Sequence, residues 1–316
     1  MEEDQIHNPS EEQILTNPKD LLPFVEKNQF SHALMGIIWV ILAFVGFNII
    51  GGVVGLAGIL LTAPDLTNAD ALMTALTENV DIIFWGNSSG QVLVMAIGTL
   101  LFVRLSAIKG KRTEFLRLKL TKNVWPMSLL AVVVVVAVFP TVNFLGWLNS
   151  FVPAPEFFSD MQESMLQMIK KFLQSDNALI LGLLHIGIVP AISEEIMYRG
   201  YVQRSFEKAG GVWAGILISG LIFGAYHLQI TNLLPLTFLG ILLAYITYLS
   251  DSIIPAMFAH FANNGGQVIA SSFYPAMLEE SITPDTEMPW LLIFASIVAT
   301  SVILFIMQKL KVSSKE

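Results

Sequence analysis

The chain contains no cysteine and few charges. Among 316 residues there is not one cysteine, which excludes a disulfide framework, a thiolate metal site, a cysteine nucleophile and a lipid-bearing C-terminal cysteine. Charged residues make up 13%, where a soluble domain has roughly 25%. That is too few to cover a surface facing water. Positive charge is scarcer than negative, and the net charge of -8 lacks the basic footprint of a nucleic-acid binder, so no nucleic-acid partner is expected. The polar stretch Met1 to Phe30 has no basic leader and no cleavage site ahead of the first apolar run. No removable signal peptide is expected, and the first span should act as an uncleaved anchor.

What the chain has is apolar sequence: 54% of its residues are hydrophobic and the mean hydropathy is +0.66. The expected class is all-α, a polytopic transmembrane helical bundle of about eight spans, since a crossing needs about 17–25 apolar residues. The spans centre on Ala33–Thr62, Gly90–Ala107, Pro126–Leu148, Ala178–Phe206, Gly211–Leu228, Leu233–Leu249, Ile253–Phe273 and Pro289–Leu310. The first is long enough to tilt, or to form two pieces around Gly51-Gly52. No inverted repeat of the transporter kind is visible. Four regions follow. Residues 1–31 are a polar tail, and 32–177 hold three spans and an outer amphipathic helix. Residues 178–273 form a polar-studded membrane core, and 274–316 the last span with a basic end.

Loop charges give an orientation. Lys109, Lys111, Arg112, Arg117, Lys119 and Lys122 surround a lone Glu114 after the second span, which marks that loop as cytoplasmic. Asp65, Asp70, Glu78 and Asp81 precede that span with no Lys or Arg, which marks the outside. Alternation then puts Arg199, Arg204 and Lys208 inside, Glu279, Glu280, Asp285 and Glu287 outside, and Lys309, Lys311 and Lys315 inside. Both termini are expected in the cytoplasm. Ser159-Asp-Met-Gln162 reads as a capping box. Met161, Met165, Met168 and Phe172 follow at helical spacing, with Glu163, Lys170 and Lys171 opposite. Such a helix either lies in the interface or covers the bundle end.

Three fragments carry chemistry into the apolar core: Glu194-Glu195-x-x-x-Arg199, Phe223-x-x-x-His227 and His260-x-x-x-Asn264. Ionisable groups at such depth face the protein interior or a wet cavity and are functional candidates. On a helix, Glu195 and Arg199 lie within about 40° of each other, and a Glu four residues before a cation is the favourable order. Glu194 points about 100° away and is left free, which suits a general base. The plainer reading makes both glutamates part of a charge network at a helix end. Taken alone, His227, His260 and Asn264 could each be inter-helix hydrogen-bonding residues among small neighbours. Asn263 faces elsewhere. His185, nine residues before Glu194, falls about 180° around the helix and should face away from the site. Pro190 should kink the span one turn before Glu194. By counting along the spans, Glu194 lies toward the cytoplasmic half of one span and His227 toward the outer end of the next. A catalytic reading requires tilt or the kink to bring them together.

Together, in this order on three spans, the motifs resemble the CPBP family of intramembrane proteases, which includes CAAX prenyl endopeptidases and bacteriocin-processing (Abi) enzymes. The resemblance spans roughly Ala178 to Phe273, and all three motifs are intact. It implies that Glu194 activates water for attack on a peptide carbonyl, with Glu195 and Arg199 as its supporting pair. It implies that His227 helps hold the water and that His260 and Asn264 donate to the oxyanion. It further implies a multi-pass plasma-membrane endopeptidase acting on a membrane-embedded peptide or protein. Zinc is the alternative to a bare glutamate mechanism, with Glu194, His227 and His260 as ligands. The compact His-Glu-x-x-His signature is missing, and a Glu194 acting as base is no ordinary ligand, so no obligate metal is expected. Two other functions fit a polar cluster in the membrane: an immunity or scaffold protein binding a toxin peptide, and a proton-coupled transporter.

Overall fold

The computed structural model describes residues 22–62, 68–174, 177–278 and 282–313. Most of the polar tail, Asp65, Glu279, Glu280 and Lys315 lie outside the described residues, as does the side chain of Asp70. The described chain is 84% helical, and it contains no strand. It is a helical membrane bundle. The long helices are α1 (His32–Thr62), α2 (Val80–Leu105), α3 (Val124–Ser150) and α4 (Glu156–Leu173). The stretch Ala178–Tyr226 follows, divided by Gly211 into α5 (178–210) and α6 (212–226). Then come α7 (Leu233–Ser250), α8 (Ile254–Phe273) and α9 (Trp290–Ser313).

Six stretches are long and apolar enough to cross a membrane. The sequence count of eight divides Ala178–Tyr226 in two and adds α8, whose His260, Asn263, Asn264 and Gln267 lower its hydropathy. The first span is one unbroken helix of 31 residues. Its Gly51 lies against Gly86 of α2, where a Cβ on Gly86 would stand 2.6 Å from the Gly51 carbonyl. Small residues let helices approach this closely in lipid. The same device joins α6 to α7, where a Cβ on Gly240 would stand 2.7 Å from the Gly220 carbonyl. Large apolar side chains such as Ile41, Ile49, Val53 and Leu61 stay exposed along α1. A water-facing helix would bury such a stripe; a lipid-facing one need not.

Two ends of the bundle are distinguishable by what meets there. At one end Arg117 makes two 3.0 Å hydrogen bonds to the Glu207 carboxylate and one of 3.1 Å to Asp251. Lys119 also reaches Asp251, and Lys208 reaches Glu26. At the other end Trp147 donates to the Pro284 carbonyl and Asn149 to that of Ile230, while Gln162 meets Thr231. The basic segments therefore collect at one end and α4 lies at the opposite end. Two charges assigned to the inside by counting are buried in the protein: Arg199 in the core, and Arg117 in the clamp just described. Each has a carboxylate within reach, so neither serves as a solvated loop charge.

The helix α4 begins at Glu156 behind Pro155, and no side chain caps it. The capping box predicted at Ser159 is not formed, because proline fixes the helix entry one turn earlier. Gln162 is thereby free to bond Thr231 across to the segment after His227. The C-terminal end of α4 is anchored on the bundle, where Phe172 is fully buried and stacks on Phe84 with ring centroids 4.0 Å apart.

Candidate functional site

The geometry of the site begins with the turn at Gly211. Its φ of 83° and ψ of 175° are open to glycine and strained for other residues. Glu194 lies 17 residues before it and His227 16 residues after it. At 1.5 Å per residue both stand about 24–26 Å from the turn. They are at one level, on antiparallel neighbours. Counting placed them apart because the first of the two spans was ended at Phe206, before the chain actually turns.

The helix α5 is not a regular α-helix. Wide π-helical turns occupy Leu183–Ile188 and Ile196–Val202, on both sides of Glu194 and Glu195. Such turns often mark functional sites, and each shifts the phase of the residues beyond it. One consequence corrects the sequence reading of His185. It does not face away; it shares a cavity wall with Glu194. The π turn between them absorbs the rotation that ideal geometry would have given.

That cavity measures about 450 Å³. Its polar wall includes Glu194, His227, Asn264, His185, Gln91 and Tyr226, and Met165 and Met168 of α4 also line it. His227 and Asn264 also border a second void of about 50 Å³, on whose wall His260 lies. So the three motifs converge from α5, the C-terminal end of α6 and α8.

Within this frame the two glutamates differ sharply. Glu195 is fully buried, 3.2 Å from Arg199 Nε and 2.8 Å from His260 Nδ1. The Glu195–Arg199 pair is therefore as the spacing predicts, and His260 is an added partner. Arg199 is also fully buried, donates to the Gly240 carbonyl and lies 4.5 Å from the centre of the Phe223 ring. Phe223 in turn packs its ring against His227 and His260. The phenylalanine of the second motif is thus the apolar spacer between the cation and both histidines. Glu194 is 8% exposed, and its Oε2 is buried with no hydrogen-bond partner among the described residues. Glu194 borders the cavity without a neutralising partner among the described residues, so its carboxylate is the group where ordered water or substrate is expected.

Proton positions follow from the partners. The Phe223 carbonyl can only accept, so His227 Nδ1, 2.7 Å away, carries a proton and Nε2 offers a lone pair. The Glu195 carboxylate likewise takes the Nδ1 proton of His260. Asn264 Nδ2 donates to His260 Nε2 at 3.3 Å and to the Ile186 carbonyl at 3.0 Å. Asn263 donates to Asn264 Oδ1 at 2.9 Å. Among the described residues no three His, Asp or Glu side chains converge tightly enough to hold a metal ion.

Residues 176–266 match the family described as Type II CAAX prenyl endopeptidase Rce1-like. That family is one of CAAX proteases, and this stretch is similar to it. The match takes in all three motifs and ends just after Asn264, and it covers less than a third of the chain. No curated protein and no solved structure matches the chain. The matched stretch takes in α5, α6, α7 and the first part of α8. Sequence reasoning passed over Tyr226 and Gln91 in the cavity wall. The available signal was position: Tyr226 adjoins His227, and Gln91 is a polar residue inside a span.

Proposed function

We propose that the chain is an intramembrane endopeptidase of the CAAX-protease class in which Glu194 is the general base. The observation that carries this reading is the sorting of the two glutamates. Glu195 is neutralised by Arg199 and His260, while Glu194 stands unpartnered on the wall of a cavity shared with His227 and Asn264. A water held between Glu194 and the Nε2 lone pair of His227 gives up one proton to Glu194 as its oxygen attacks the peptide carbonyl. The carbonyl electrons move onto oxygen. When the intermediate collapses, the C–N bond breaks and Glu194 returns its proton to the leaving amine. No covalent enzyme intermediate is needed. The Asn264 amide donates to the oxyanion once it swings away from His260 Nε2, while Glu195 holds the His260 ring in place through its Nδ1 proton.

The substrate is a membrane-associated peptide or protein that enters laterally from the bilayer, since apolar side chains form most of the cavity wall. We place the basic end of the bundle in the cytoplasm of a cell membrane, in keeping with the positive-inside rule. The test is reconstitution of the purified chain in liposomes with a library of apolar peptides, followed by mass spectrometry. The wild type should produce new peptide termini, and Glu194→Gln should lower the rate at least about a thousandfold. Equal rates in the two proteins would refute the role of Glu194.

A further inference from the structure

Donor accounting at the site leaves a gap. An oxyanion must receive at least one proton donor as it forms, and preorganised donors contribute most because they need not be freed first. In the resting arrangement Asn264, His260 and His227 have none to offer, and the guanidinium nitrogens of Arg199 without a hydrogen-bond partner among the described residues do not border the cavity. Both Nδ2 hydrogens of Asn264 are committed, to the Ile186 carbonyl and to His260 Nε2. The ring proton of His260 goes to Glu195, and that of His227 goes to the Phe223 carbonyl. Tyr226 lines the same cavity as Glu194, and its hydroxyl is buried with no hydrogen-bond partner among the described residues. The ring is held by two edge contacts, to Phe44 at 5.1 Å and to Tyr198 at 5.7 Å between centroids. The hydroxyls of Tyr226 and Tyr198 both lie within the electrostatic reach of Glu194, so what separates them is that Tyr226 lines the cavity. An unsatisfied buried hydroxyl costs roughly 1–3 kcal/mol, so one fixed beside a catalytic carboxylate calls for a reason.

Building on the proteolytic reading, we propose that Tyr226 is a further catalytic residue, whose phenol O–H donates to the carbonyl oxygen of the scissile bond as that oxygen becomes an oxyanion. The phenol keeps its proton throughout. The proton taken from water travels through Glu194 to the leaving nitrogen, so the balance of the step is unchanged. Tyr198 is the internal comparison. Its hydroxyl is also buried and unpartnered, but the residue does not border the cavity.

The experiment uses the full chain in liposomes and a peptide spanning a cleavage point that depends on Glu194. It also uses a phosphinic peptide of the same sequence, which presents a tetrahedral anion in place of the scissile amide. Tyr226→Phe should lower kcat by about a hundredfold with KM nearly unchanged. It should weaken binding of the phosphinic peptide by a similar factor and leave the unfolding temperature where it was. Tyr198→Phe should stay within about threefold of wild type in kcat. A kcat for Tyr226→Phe within twofold of wild type overturns the proposal. So does a loss of kcat without weaker phosphinic binding, which would make Tyr226 a packing or positioning residue. If the wild type shows no Glu194-dependent hydrolysis of any peptide, the proteolytic reading itself falls and takes this assignment with it.

Discussion

At the residue scale, the two adjacent glutamates make opposite predictions for stability. Arg199 is fully buried against Glu195, so Arg199→Ala strands a carboxylate in the core and should cost about 3–5 kcal/mol. Glu194→Gln removes a charge that has no partner, and should leave the fold as stable or make it more so. Thermal unfolding of the purified variants checks both. A second prediction concerns metal. With no tight group of three metal ligands among the described residues, 1,10-phenanthroline and EDTA should leave the hydrolysis rate unchanged, and a chelator-sensitive rate restored by zinc would refute the bare glutamate mechanism. The motif residues were legible in the sequence because a Glu, Arg or His in an apolar run is conspicuous. Tyr226 was not, since a tyrosine among apolar residues reads as packing. The His260–Glu195 contact was not legible either, because no spacing rule connects residues on different helices.

At the element scale, the site depends on where one helix turns into the next. Gly211 takes a backbone conformation that other residues enter only with strain, so Gly211→Ala should destabilise the chain by about 1–3 kcal/mol. It should also lower activity, because the turn sets Glu194 and His227 at one level. Comparing melting temperature and turnover for this variant tests both effects. The helical membrane class was legible from hydropathy alone, and so was the amphipathic α4. Phase within the helices was less so. The π turn at Leu183–Ile188 leaves no mark in composition, yet it changes the phase between His185 and Glu194, and both line the cavity. The capping box at Ser159 failed for a related reason: a local motif was present, but Pro155 had already started the helix.

At the scale of the whole molecule, one charged clamp closes the basic end. Arg117, Glu207, Lys119 and Asp251 tie the loop after α2 to the α5–α6 turn and to the start of α8. Burial alone would raise the Asp251 carboxyl, but the hydrogen bond from Lys119 and the charges of Arg117 and Lys119 outweigh it and hold the group below its ordinary value. A carboxyl lowered by folding contributes stability that is present above its unfolded pKa and is lost as pH falls through the folded one. The melting temperature should therefore drop as pH is lowered through and below the usual aspartate range, and Asp251→Asn should flatten part of that drop. Loop charges pointed to this end of the bundle, while the burial of Arg117 within it could be seen only in three dimensions.

The central claim is that Glu194 makes the chain a protease. The most direct measurement compares peptide termini, by mass spectrometry, in membranes and secreted fractions of cells expressing either wild type or Glu194→Gln. The account predicts termini that appear with the wild type and vanish with Glu194→Gln, at equal protein levels. An identical set of termini from both, with the biological effect of the chain retained by the variant, would contradict it and return the polar cluster to a binding role.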